Sequence, residues 1–162
     1  MPMERGQRVQ PILANEEATD ALDRLAELNP NLSELIDSLG RRILDLPCEG
    51  LREQTGAQQR TYNIAFVRPR SPRSRRKAFA AFTAPSFQGT WPPHCPPGAL
   101  CVGIKFDPDL DIDEIQDPHT LLRTRSLPQQ GGGGWRTIYL DEDGSYSDAA
   151  FDLVEQAYQS FE

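Results

Sequence analysis

The stretch from residue 31 to 46, "NLSELIDSLGRRILDL", constrains the fold more than any other part of this chain. Leu32, Ile36, Leu39, Ile43 and Leu46 recur at i, i+4, i+7, i+11 and i+14, and Leu35 widens the stripe. A helix with an apolar face this wide must bury it, so a second layer has to exist elsewhere in the sequence. Asp37 and Arg41 add an i, i+4 ion pair on the wet face, and Pro47 stops the helix. A shorter helix is expected before it, over 16–28. There Asn15 is placed to cap and Glu16 and Glu17 sit at the positive end of the helix dipole. Ala18, Leu22 and Leu25 share a face, Ala21 and Leu28 lie beside them, and Asn29-Pro30 ends the run. Residues 1–14 show no periodicity and read as a flexible tail, leaving 15–162 as a single domain long enough to bury a core.

The second layer is legible as short strands. In "RTYNIAFV", Tyr62, Ile64 and Phe66 alternate with smaller or polar residues; in "ALCVGIKF", Leu100, Val102, Ile104 and Phe106 do the same. "KAFAAFTA" is assigned as a strand because it closes a hairpin on "RTYNIAFV", although its two phenylalanines stand three apart, as in a helical turn. "WRTIYL" makes a fourth short strand, and "DEDG" a turn. Residues 47–59 read as a polar loop, "PSFQGTWPPHCPPG" as a proline-rich surface loop, and "QQGGGG" as a flexible one. After the acidic run "DPDLDIDEIQD", Asp117 is placed to cap a short helix with Pro118 at its first position. A closing helix is expected over 148–161, capped by Ser147 or Asp148, with Phe151, Val154, Ala157, Tyr158 and Phe161 on its apolar face. The whole is an α+β arrangement: a small antiparallel sheet of about four strands packed against helices, with an extra N-terminal helix.

In this order of elements, "TYNIAF", "AFAAF", "LCVGIKF", the pair Gly134-Trp135 and the closing "FDLVEQAYQ" make residues 31–162 resemble a bacterial family of unknown function. Its members are often labelled "predicted transport protein", and its domain also occurs appended to nuclease-like domains. The resemblance implies an accessory domain and carries over no catalytic residue. The sequence departs from the family pattern in a longer, more basic first hairpin and in the "PPHCPPG" insertion.

Charge is unevenly distributed. The chain has 17 basic and 24 acidic residues, net −7, yet "RPRSPRSRRK" holds Arg68, Arg70, Arg73, Arg75, Arg76 and Lys77 with no acid among them. Without those six the balance is 11 against 24, a body at −13 that repels nucleic acid while one short segment attracts it. Arginine's planar fork suits phosphate oxygens, but no aromatic is interleaved within 68–77 to stack on a base. The competing readings are a loop kept soluble by its charge, or an arm that docks an acidic protein.

The remaining constellations are weaker. Asp107, Asp109, Asp111 and Asp113 alternate, so an extended backbone turns all four one way, a set suited to Mg²⁺ or Ca²⁺. Ile112 stands where a calcium loop needs glycine, however, and Pro118 where it needs the closing glutamate. A mobile solvated loop is the expected outcome. His94, Cys95, Cys101 and His119 are zinc-ligand types at spacings that match no zinc site, and Cys95 beside His94 makes no nucleophile–base pair. "GGGGWR" lacks the Gly-Lys-Ser/Thr of a phosphate loop. No run approaches the roughly eighteen apolar residues of a spanning helix, and the opening segment has no apolar core of signal-peptide length. A cytoplasmic chain with three thiols and no cofactor is therefore expected. The sequence reads as a non-enzymatic binding or accessory domain that contacts nucleic-acid phosphates through 68–77. A protein adaptor docking an acidic partner is the first alternative, and a metal-dependent hydrolase using the Asp run the second.

Overall fold

The computed structural model describes residues 9–13, 15–55, 58–68, 77–83, 96, 98–127 and 135–161. Its architecture is α+β. Six strands form one antiparallel sheet in sequential order: β1 (Val9–Leu13), β2 (Glu49–Thr55), β3 (Gln58–Arg68), β4 (Lys77–Thr83), β5 (Ala99–Lys105) and β6 (Trp135–Asp141). The helices are α1 (Asn15–Leu28), α2 (Ser33–Leu44), the single turn α3 (Leu121–Thr124) and α4 (Ser147–Ser160). α1 packs on β2 and β3, α4 packs on β4 and β5, and α2 bridges α1 and α4. The helix layer thus covers one face of the sheet.

The stripe of the second predicted helix supplies the centre of that layer. Leu35, Ile36, Leu39 and Ile43 are buried on α2, and Leu32 is buried in a short 3₁₀ turn, Pro30–Leu32, that leads into it. Arg41 Nε donates to Asp37 Oδ1 at 2.6 Å on the wet face. On α1, Ala18, Ala21, Leu22 and Leu25 are buried as the pattern requires, whereas Leu28 is exposed because the chain turns away at the helix end. On α4 the buried residues are Ala150, Leu153, Val154, Ala157 and Tyr158, with Phe151 and Phe161 at the margin. Neither Ser147 nor Asp148 caps α4 through its side chain; Asp148 accepts instead from Arg42, at 2.6 Å.

Two strands lie where none was expected. β1 occupies part of the supposed tail, and β2 the supposed polar loop 47–59. Both pair through main-chain groups, Ile12 opposite Leu51 and Leu51 opposite Ala65. Ladder bonds use no side chain, so a polar segment can join a sheet without an alternating apolar pattern to announce it.

β4 also explains its own irregular spacing. Phe66 faces Ala80 and the next residue, Val67, faces Ala78, so Phe79 is an extra residue bulged into β4. The bulge lets the consecutive Phe79 and Ala80 both join the core, alongside Phe82. Phe66 meets Phe82 edge-on at 5.2 Å, and Phe79 meets Tyr158 edge-on at 5.0 Å. The three-residue gap between phenylalanines, helical by periodicity, is a strand with one inserted residue.

α1 and α2 approach closely at Gly40. A Cβ there would stand 2.7 and 2.8 Å from the two Cδ atoms of buried Leu22. Gly40→Ala therefore overpacks the crossing by about 1–3 kcal/mol, against a helix-propensity gain of about 1 kcal/mol. A net loss of roughly 1 kcal/mol is expected in urea unfolding; an unchanged or raised midpoint would show that Leu22 repacks freely.

Candidate nucleic-acid interface

Of the six basic residues singled out in 68–77, Arg68 and Lys77 end the paired strands, and they face each other at the mouth of the β3–β4 connection. Arg70, Arg73, Arg75 and Arg76 lie outside the described residues. The side chain of Arg68 turns back onto the helix layer. Its Nη1 donates to the Tyr158 carbonyl at 2.6 Å, and its guanidinium carbon lies 4.3 Å from the Tyr158 ring centroid. This contact adds a charged donor to a carbonyl in the last turn of α4 that also accepts from the Phe161 amide, and it places a cation at the negative helix end. Arg68 is thus the anchor of the connection.

The acidic run takes a different shape from the extended one considered above. Asp107 Oδ1 accepts from the Asp109 amide at 2.9 Å, and Asp111 Oδ1 accepts from the Asp113 amide at 3.0 Å, capping a 3₁₀ turn over Ile112–Glu114. Two of the four carboxylates are therefore turn acceptors, as short acidic side chains commonly are in loops. Among the described residues, no three His, Cys, Asp or Glu side chains are grouped so as to hold a metal ion. The run is fastened along α4: the Asp107 amide donates to Ser160 Oγ at 2.9 Å, and Gln116 and Gln156 exchange two hydrogen bonds of 2.8 Å. Asp117 caps as expected, its two oxygens accepting from the Leu121 and Leu122 amides, but α3 begins at Leu121 instead of Pro118.

Further acids line the hollows of the helix layer. A groove of about 450 Å³ between residues 116–119 and α4 is lined by Asp117, Asp148, Asp152 and Glu155. Hollows along α1 and α2 are lined by Asp20, Asp23, Glu27, Glu34 and Asp37. These hollows are lined mainly by acids, while Arg68 and Lys77, the two described ends of the basic run, are paired at one end of the sheet.

Other candidates separate. His119 is exposed, its ring edge-on to Tyr146 at 5.9 Å, and His94 and Cys95 lie outside the described residues. Cys101 is disulfide-bonded, which corrects the expectation of three thiols; such bonds persist in oxidising surroundings. Cys48 is a buried free thiol donating to the Ile43 carbonyl at 3.3 Å. Gly131–Gly134 are outside the described residues, and Trp135 opens β6.

One cluster was missed in the sequence. Arg125 lies between the rings of Tyr139 and Tyr146, 5.0 and 4.8 Å from their centroids, and donates to Asp141 at 2.7 Å. The hydrogen bond from Arg125 to Asp141 holds the guanidinium above the ordinary arginine range. Residues 125–127 run beside β6, with the Leu127 amide on the Thr137 carbonyl and the Tyr139 amide on the Arg125 carbonyl. Arg125 is thus a fastening for the sheet edge. Its partners stand 14 to 21 positions away in the sequence, so no local pattern signals it.

No family model, no curated protein and no solved structure matches this chain. The functional reading accordingly stands on geometry and charge alone.

Truncating Arg68 to Ala removes a charge-assisted hydrogen bond and a cation–π contact, and is expected to cost about 2 kcal/mol. Arg68→Lys should recover only part of this, because an ammonium cannot both lie flat on a ring and reach the carbonyl. Thermal unfolding of the two variants checks the ranking; equal stability of Arg68→Ala and the parent chain would remove the anchor.

Proposed function

We propose that this chain is a non-enzymatic accessory domain that binds nucleic acid through phosphate contacts made by the β3–β4 connection. Arg70, Arg73, Arg75, Arg76 and Lys77 are the contacting residues, and Arg68 anchors the base of the arm. The observation that supports this reading most directly is the run of six basic residues with no acid among them in a chain of net charge −7, a run whose two ends, Arg68 and Lys77, are paired at the mouth of the β3–β4 connection. A body of net −13 orients the molecule so that the arm approaches a polyanion first. Phosphate contacts fix position without reading sequence, so binding is weakly selective among sequences.

No helix among the described residues is long and apolar enough to cross a membrane, which fits an aqueous partner. The cytoplasm is the compartment this reading favours.

With about four phosphates neutralised, log affinity for duplex DNA should fall against log salt with a slope of roughly −3.6. Reversing Arg73, Arg75 and Arg76 to Glu should abolish binding at low salt. A parent chain that binds no nucleic acid at low salt overturns the proposal. Retention of an acidic protein by the intact arm, in a pull-down that the triple reversal abolishes, would then establish the adaptor reading.

A further inference from the structure

The sheet ends in two edge strands, and each edge is blunted by a different means. β1 forms one edge. It carries Pro11, which has no backbone N–H, and its pairing with β2 shifts register between Val9 and Ile12. A strand interrupted in this way offers no regular ladder to another chain. β6 forms the other edge and runs in unbroken register with β5 from Trp135 to Asp141. Its outward side is occupied by a strap, residues 125–127, in which Ser126 bridges Ile138.

The strap is lightly held by its backbone. The Leu127 amide donates to the Thr137 carbonyl at 2.8 Å, and the Tyr139 amide donates to the Arg125 carbonyl at 3.0 Å. A pairing this short is marginal in water by itself. Burial adds little, since Ser126 is exposed and Leu127 only partly buried. The Arg125 side chain supplies the rest. It lies between the Tyr139 and Tyr146 rings, donates to Asp141 at 2.7 Å and reaches the Tyr139 carbonyl at 3.5 Å. Tyr139 and Asp141 belong to β6, so one guanidinium clamps the strap to the strand it covers.

What the strap covers is self-complementary. The strap gives β6 one N–H, at the Thr137 carbonyl, and one C=O, at the Tyr139 amide. β6 itself carries the matching pair, the Tyr139 N–H and the Thr137 C=O. Two antiparallel copies of β6 related by a two-fold axis at Ile138 would therefore exchange the same bonds that the strap now makes. We infer that residues 125–127 are an edge guard locked by Arg125, and that the edge beneath them is a pairing site for β6 of a second copy of this chain. With the lock closed the chain is a monomer; with it open, two sheets join through β6. This inference is independent of the nucleic-acid reading.

The test compares the full parent chain, Arg125→Ala and the double variant Arg125→Ala/Thr137→Pro by sedimentation velocity over a concentration series. Circular dichroism checks the fold, and hydrogen exchange at low concentration follows the Tyr139 amide. In an antiparallel strand the N–H and C=O of one residue share an edge, so Thr137→Pro spares the ladder with β5 and blocks an added strand. The parent is expected to stay monomeric. Arg125→Ala should keep its fold, exchange the Tyr139 amide roughly tenfold faster or more, and form dimers whose share rises with concentration. The double variant should return to monomer. A folded Arg125→Ala that stays monomeric throughout, a double variant that still associates, or a parent that already dimerises overturns the proposal. Should Arg125→Ala lose its fold, Arg125→Lys takes its place, since an ammonium keeps the bond to Asp141 but cannot lie flat between two rings. Weaker, concentration-dependent dimerisation is then expected, and a folded, strictly monomeric Arg125→Lys overturns the guard.

Discussion

At the C-terminal end of α4 the Tyr158 side chain is held from three directions. Its hydroxyl donates to the Pro47 carbonyl at 2.7 Å, Phe79 meets its ring edge-on, and the Arg68 guanidinium covers the ring while bonding to the Tyr158 carbonyl. One residue thus ties the closing helix to the end of α2, to the bulge of β4 and to the base of the basic arm. A Tyr ring buried against apolar neighbours needs a partner for its hydroxyl, and the turn after α2 supplies it. The bulge at Phe79 matters for the same reason: without the inserted residue, Phe79 and Phe82 could not both lie beneath the helices.

The same packing places the acidic run. Fastening residues 107–116 along α4 commits the acidic run to the helix layer, where Asp107 and Asp111 serve as turn acceptors. Carboxylates spread over turns repel one another less than four aligned on one strand, so the run's alternation serves loop geometry. The run starts beside the anchor of the basic connection, for Asp107 is bonded to Ser160 and Arg68 to Tyr158 in the same last turn of α4.

The helices and four of the strands were readable because burial imposes a period, 3.6 residues or two, on the positions that must be apolar. Leu35 to Ile43 on α2 and Leu100 to Ile104 on β5 carry that period plainly and are buried as it demands. β1 and β2 were not readable, since main-chain pairing imposes no such period. The bulge in β4 disguised a strand as a helical turn, and α3 begins three residues after the Pro118 that a local capping rule favours. Of the candidate interface, the charge of Arg68–Lys77 is plain in the sequence; the commitment of Arg68 to Tyr158 is not, because its partner is 90 residues away.

By itself the sequence determined the α+β class, the amphipathic faces of α2 and α4, and a cationic segment in an anionic chain, since composition and periodicity are local properties. Only the tertiary structure decided that Arg68, at the start of that segment, is committed to Tyr158 at the end of α4. The register of β5 and β6 sets Lys105 opposite Trp135, on the face of the sheet turned from the helices, with the indole against Gly103. Register is set by pairing between distant strands, and a shift of one residue would have turned Trp135 toward the helices.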